Sequence, residues 1–80
     1  MDWQEFIHTD REILGGKPII RGTRLSVEFI LGRLADGWTE QEIFESYPSI
    51  KSVHLQAIHA YVLDVLSDVA LFAAEQKAAA

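Results

Sequence analysis

The last third of this 80-residue chain carries an apolar seam that constrains the fold more than any other feature. From Ser52 onward, apolar residues alternate in steps of three and four, which is the spacing of one face of a long helix. They are Leu55, Ile58, Val62, Val65, Val69 and Phe72. A helix over residues 52–77 is about 39 Å long, whereas a compact domain of this size is about 30 Å across. We therefore expect this helix to extend beyond its own domain.

Two shorter helices are predicted before the long one. Ser26 caps the first, and Gly37 ends it, since glycine favours left-handed backbone. Thr39 and Glu42 have the spacing of a capping box at the start of the second, which Pro48 ends. A helix, a turn, a short helix, a turn and a long helix are the order of a homeodomain-like three-helix helix-turn-helix bundle.

The first 25 residues predict an extended cover over these helices. An apolar patch at residues 6–8 is long enough for one short strand. Asp10 can cap a single turn over residues 11–14, which Gly15-Gly16 stops. Pro18 has no backbone N–H, so a strand at Ile19 and Ile20 is expected at a sheet edge.

The whole chain is expected to form one mainly α domain with a short extended or β N-terminal segment. Residues 1–25 form the cover, 26–51 the first two helices and 52–77 the long third helix. The expected core consists of Ile20, Leu25, Ile30, Leu34, Trp38, Ile43, Phe44, Tyr47, Leu55 and Ile58.

Composition excludes several classes of protein. There is no cysteine, which rules out a disulfide scaffold and a thiolate zinc site. The acidic N-terminus lacks the apolar region of a signal peptide, and no apolar run approaches about 20 residues. We expect a cytoplasmic protein that is not associated with a membrane.

Two sets of residues have a spacing that could serve acid–base or metal chemistry. One is His8, Asp10 and Glu12, and the other is Asp64 and Asp68. Neither is accompanied by a nucleophile, a glycine-rich phosphate loop or a third metal ligand. His54 and His59 lie five apart, off the spacing of four that two ligands on one helix face need. We expect no catalytic, cofactor or metal site, and no enzyme.

The chain has seven basic residues, and five of them lie in residues 1–37. The net charge is −5, of which residues 1–37 carry −1 and residues 38–80 carry −4. Lys17, Arg21 and Arg24 lie in a stretch without any acidic residue. They either protect an edge strand from aggregation, or bind an acidic partner or phosphates.

The start of the third helix is the candidate DNA-reading element. In a helix-turn-helix, the first-turn side chains of this helix meet base edges. Here Gln56 can pair with adenine, His54 lies in the same turn, and Lys51 can contact a phosphate. Because this half of the chain is acidic, we expect DNA binding to be weak.

Three stretches resemble the signature of bacterial domain-of-unknown-function family 433. They are residues 13–27, with Gly-Gly-Lys-Pro and Arg-Gly-Thr-Arg, residues 34–43, and the pair Tyr47-Pro48. The resemblance covers about residues 5–66. After Pro48 the family commonly has a threonine cap followed by acidic residues, whereas this chain has Lys51-Ser52-Val53-His54.

The resemblance implies a homeodomain-like fold and a VapB-like antitoxin that neutralises a PIN-like ribonuclease toxin and, as a dimer, represses its own operon. From their charge, not from the resemblance, Lys17, Arg21 and Arg24 are the residues expected to meet carboxylates of the toxin. The long helix would pair with a second copy or with the toxin through Val62, Val65, Leu66, Val69 and Phe72. The alternative is a stand-alone dimeric helix-turn-helix DNA-binding regulator. A gene for a PIN-like protein beside this one would favour the antitoxin.

Overall fold

The computed structural model describes the backbone of residues 1–79 and the side chains of residues 1–69. The chain is mainly helical, with three α-helices and a short antiparallel sheet near the N-terminus. The elements are a 3-10 turn at Trp3–Glu5, β1 (Ile7–His8), a 3-10 turn at Leu14–Gly16, β2 (Ile19–Ile20), α1 (Val27–Ala35), α2 (Glu40–Ser46) and α3 (Ser52–Ala79). This order confirms the mainly α prediction, while the helix-turn-helix assignment stays a prediction.

The helix boundaries follow the capping residues. The Ser26 hydroxyl accepts a hydrogen bond from the backbone N–H of Phe29 at 2.9 Å. Thr39 and Glu42 form both hydrogen bonds of the capping box at the start of α2. Gly37 has a φ of +95°, a backbone conformation that costs side-chain-bearing residues energy. α3 continues to Ala79, two residues past the predicted end, because alanine has the highest helix propensity.

The two strands pair with Ile7 opposite Ile20 and His8 opposite Ile19. Because the sheet has only these two strands, β2 is an edge strand, as predicted. Ile19 also forms an isolated antiparallel bridge with Ser26 on the other side of β2. The chain reverses direction at Gly22, which brings the entrance of α1 back alongside β2.

Two successive turns precede β2. The predicted turn after Asp10 is present: the Asp10 carboxylate accepts from the N–H of Glu12 at 2.9 Å, and the N–H of Ile13 donates to the carbonyl oxygen of Asp10 at 3.0 Å. The two glycines that were expected only to stop this turn lie in a second one, the 3-10 turn at Leu14–Gly16. Three successive positive φ angles, beginning at Leu14, make this turn possible.

The core lies where the sheet, α1, α2 and the first half of α3 meet. Five predicted core residues are buried: Ile20, Ile30, Ile43, Leu55 and Ile58. The other five, Leu25, Leu34, Trp38, Phe44 and Tyr47, are half-buried and pack against the core. The prediction missed the buried residues Ile7, Ile19, Val27, Ile50 and Ala57. Most of these lie in the cover or in connections, where short apolar stretches show no periodicity.

Candidate functional site

The second half of α3 exposes apolar side chains. Leu55 and Ile58 are 3% and 0% exposed, whereas Val65 and Val69, on the same helix face, are 42% and 57% exposed. Leu63 and Leu66 add exposed fractions of 64% and 59%. Val62 is half-buried between the two regions, and the predicted contact residue Phe72 lies outside the described side chains. The molecule measures 49 Å along its longest axis and 30 Å along the next. The face of α3 that is buried in the core at Leu55 and Ile58 thus continues toward Val69 with its apolar side chains exposed.

The structure separates the three basic residues of the N-terminal cover. Arg21 donates from Nη2 to the carbonyl oxygen of Gln4 at 3.2 Å, so it faces the first 3-10 turn. Lys17 and Arg24 instead line one pocket. The acid-free stretch of sequence is not free of acid in space, because Lys17 Nζ lies 3.1 Å from the Glu28 carboxylate of α1.

The pocket lies between the second 3-10 turn and the start of α1, with a volume of about 440 Å³. Its lining is mostly apolar and consists of Leu14, Lys17, Arg24, Leu25, Ser26 and Phe29. Leu14 is 49% exposed, and its backbone adopts a φ of +50°. The only buried polar residue among the lining residues is Ser26, whose hydroxyl is engaged in capping α1. The pocket can therefore receive an apolar group, with positive charge at its rim.

An aromatic cluster with an arginine lies beside this pocket and was not predicted from the sequence. The Arg33 guanidinium lies 4.7 Å from the centroid of the Phe29 ring and 5.4 Å from that of Trp38. Tyr47 contacts both rings, edge-on at 5.5 Å for Phe29 and stacked at 6.2 Å for Trp38. The i, i+4 spacing of Phe29 and Arg33 on α1 was the available signal.

The candidate DNA-reading residues differ in their surroundings. His54 Nδ1 accepts from the backbone N–H of Lys51 at 2.8 Å, and the ring packs edge-on to Phe6 at 6.0 Å. His54 is thus engaged in the N-terminal cap of α3. The side chains of Lys51 and Gln56 are exposed.

Two of the acidic residues with catalytic spacing have structural partners. Asp10 holds its turn, and Asp64 accepts a hydrogen bond from the indole N–H of Trp3. Among the described residues, no three His, Asp or Glu side chains are placed to hold a metal ion. None of the helices in the described part of the chain is both long and apolar enough to cross a membrane.

Comparison with known proteins identifies the family. Residues 7–62 match the model of a family described as "Protein of unknown function (DUF433)". The chain belongs to the DUF433 family. The match spans β1 to Val62 in α3, so it includes the pocket but ends just before the exposed apolar side chains of α3.

Two relatives show how this DUF433 chain compares. It is 32% identical over 59 residues to the uncharacterized protein y4eO of Sinorhizobium fredii strain NBRC 101917 / NGR234. That alignment covers 71% of this chain but 27% of the relative, so the chain spans about a quarter of the relative's length. The crystal structure of a DUF433 member from Anabaena variabilis ATCC 29413 superposes with a TM-score of 0.73 at 24% identity. It covers 89% of this chain and 70% of that one, and shows that the two share a fold.

Proposed function

We propose that this DUF433 chain is the antitoxin of a bacterial toxin–antitoxin pair. It binds and neutralises a PIN-like ribonuclease in the cytoplasm and itself catalyses no reaction. The observation that carries the proposal is the uncovered apolar face of α3. This face is buried at Leu55 and Ile58 and exposed at Val65 and Val69. Contiguous exposed apolar surface of this kind is typical of a protein–protein contact.

Burial of this face supplies most of the affinity. Fully burying one such side chain contributes about 1.5–3 kcal/mol. An amphipathic helix that lays this face into a groove is a common recognition mode, and two copies of the helix can also pair along it. The contact residues are Val62, Val65, Leu66, Val69 and Phe72, and in the absence of toxin they hold a homodimer.

The basic residues of the cover supply inhibition. Guanidinium groups bind carboxylates through paired hydrogen bonds, so an arginine placed near the metal-binding carboxylates of a ribonuclease blocks catalysis. Arg24 is exposed and is therefore the first candidate. Lys17 and Arg21 each have a partner within the chain, which they would exchange for one on the toxin.

Repression of its own operon is the second part of the proposal, and a stand-alone dimeric regulator is its alternative. The succession of α2 and α3 with a short connection supports a helix-turn-helix, and Lys51 and Gln56 are exposed at the start of α3. The charge of −4 on residues 38–80 weakens binding to phosphates. A protein partner is therefore favoured over DNA as the main ligand.

The test is to establish whether the neighbouring gene encodes a PIN-like protein and, where it does, to co-express that protein with the chain. We expect the two proteins to purify together and the ribonuclease activity to be suppressed. Val65→Asp should abolish the complex, because it places a charge in the apolar face. Ser67→Asp is the matched control, since Ser67 is exposed on the same helix and lies outside the five contact residues. Retention of the complex by Val65→Asp would contradict the proposed contact.

The basic residues are tested separately from the helix. The double substitution Arg21→Ala and Arg24→Ala should still purify with the toxin but release part of its ribonuclease activity. Binding of the chain to the DNA upstream of its own gene, with no complex between the chain and a PIN-like protein, would favour the stand-alone regulator. In the absence of toxin, sedimentation equilibrium should give a dimer at tens of micromolar, and a monomer would contradict the assembly.

A further inference from the structure

The pocket beside α1 is built to hold an apolar side chain. Its floor contains Leu25 and Phe29, which are half-buried and pack against the core. The Phe29 ring is fixed from two sides, by the edge of Tyr47 and by the Arg33 guanidinium. A floor held in this way needs little reordering when a ligand arrives, which is the condition for good affinity from a small contact.

Leu14, which also lines the pocket, adopts its backbone conformation at an energetic cost. A φ of +50° is strained for leucine, and the two residues that follow are glycines with positive φ. Glycine or asparagine would adopt this backbone more easily. The leucine side chain is also 49% exposed, so folding of the domain gains little from it. A strained and half-exposed leucine at the edge of a pocket indicates a role in binding and not in the stability of the domain.

The charge at the rim selects the ligand. Arg24 has no hydrogen-bond or ion-pair partner within the described part of the chain, and Lys17 has Glu28. Two of the seven basic residues of a chain with a net charge of −5 thus line one mostly apolar pocket, and Arg33 contacts the ring of Phe29, which also lines it. The complement is an apolar side chain flanked by carboxylates.

We propose that this pocket binds an acidic protein segment, which inserts one apolar side chain between Leu14 and Phe29 and places a carboxylate against Arg24. The identity of the protein that carries the segment rests on the proposed function, in which it is the toxin. The chemistry of the segment does not, because it follows from the lining of the pocket. Lys17 joins the contact when the incoming carboxylate displaces Glu28.

The first experiment titrates the labelled full chain with a short peptide of alternating leucine and glutamate, observed by amide NMR. The matched peptide carries lysine in place of each glutamate. We expect saturable shifts at residues 14–17 and 24–29 with the acidic peptide alone. Equal shifts with both peptides, or none with the acidic one, would overturn the proposal.

Four variants assign the contact to these residues. Arg24→Glu should weaken the acidic peptide by about tenfold or more, because it replaces attraction by repulsion. Arg11→Glu is its control, an exposed arginine outside the pocket with the same change of charge. Glu28→Gln should strengthen binding by releasing Lys17. Leu14→Asn should leave the melting temperature of the domain unchanged, since asparagine tolerates this backbone conformation. It should nevertheless abolish binding of the acidic peptide. Equal effects of Arg24→Glu and Arg11→Glu would refute the site.

The second experiment separates this proposal from the proposed function. Inhibition of a PIN-like ribonuclease encoded beside this chain is titrated with the wild type and with Leu14→Asn, because Leu14 belongs to the pocket whereas Arg24 is also assigned to inhibition. A higher concentration for half-inhibition by Leu14→Asn supports the pocket. Equal inhibition by both proteins overturns the pocket and leaves the antitoxin function standing. Peptide binding without any complex with the ribonuclease supports the pocket and refutes the antitoxin function.

Discussion

The indole N–H of Trp3 donates a hydrogen bond to the carboxylate of Asp64 at 2.5 Å, across 61 positions of the chain. The Trp3 ring also packs edge-on to Tyr61 at 4.9 Å. These two contacts fasten the first 3-10 turn to α3, close to the point where the apolar face of the helix becomes exposed. Asp64, which has the spacing of an acid–base pair with Asp68, thus has a structural role.

Asp64→Ala is expected to lower the free energy of unfolding by about 0.5–1.5 kcal/mol, the usual net contribution of one hydrogen bond. Urea denaturation followed by circular dichroism measures the change. Asp68→Ala is the control, because it removes a carboxylate from the same exposed helix, and we expect it to have little effect. Equal losses in the two variants would show that the Trp3 contact contributes nothing.

Two glycines of α1 and its C-terminal end should respond to alanine with opposite signs. Gly37→Ala is expected to destabilise the domain by about 1–2 kcal/mol, because alanine resists a φ of +95°. Gly32→Ala should stabilise it by about 0.5–1 kcal/mol, since Gly32 is helical and exposed. A Cβ at either position meets no atom within 4 Å, so the difference reports backbone conformation alone. Thermal unfolding of both variants checks the sign.

The helix caps make a second pair of variants. Ser26→Ala and Thr39→Ala are each expected to cost about 1 kcal/mol in the free energy of unfolding, because each leaves a helix N–H without its partner. The loss should be larger at Ser26, which is 7% exposed and therefore less able to replace the bond with water. Ser49→Ala, at an exposed position outside the helices, is the control. A larger loss in the free energy of unfolding for Thr39→Ala than for Ser26→Ala would contradict this ranking.

His54 and Gln56 are expected to separate folding from any contact with DNA. His54→Ala removes the acceptor for Lys51 and the packing on Phe6, and should destabilise the domain by about 1 kcal/mol. Gln56→Ala should leave stability unchanged, because the side chain is exposed. If Gln56→Ala also leaves binding of upstream DNA unchanged in fluorescence anisotropy, the predicted base contact of Gln56 is excluded.

The helical part of the fold was predictable because its signals are local. Ser26, Gly37 and the Thr39–Glu42 capping box act within a few residues of themselves, so the sequence alone locates the ends of α1 and the start of α2. The small sheet was expected only as a possibility, and its bridge from Ile19 to Ser26 was missed. That contact depends on a reversal at Gly22, whose geometry the residue type permits but does not dictate.

Of the candidate site, only the basic residues could be predicted from the sequence. Lys17 and Arg24 stand out in the sequence as bases, but their position at the rim of an apolar pocket depends on tertiary packing. Leu14 gave no signal, because a leucine with positive φ is not expected from its residue type. The separation of Arg21 from the other two follows from its bond to Gln4, a partner 17 positions away.

The change of burial along α3 divides one continuous helix into two regions of different local stability. Amides near Leu55 and Ile58 lie in the core, so their hydrogens should exchange with solvent only when the whole domain unfolds. Amides from Leu63 to Val69 have the same backbone hydrogen bonds but little packing, and local opening should let them exchange sooner. Any molecule that covers the outer region will slow exchange there first. The difference in amide exchange rate between the two regions of α3 therefore reports whether the chain is free or bound to a partner.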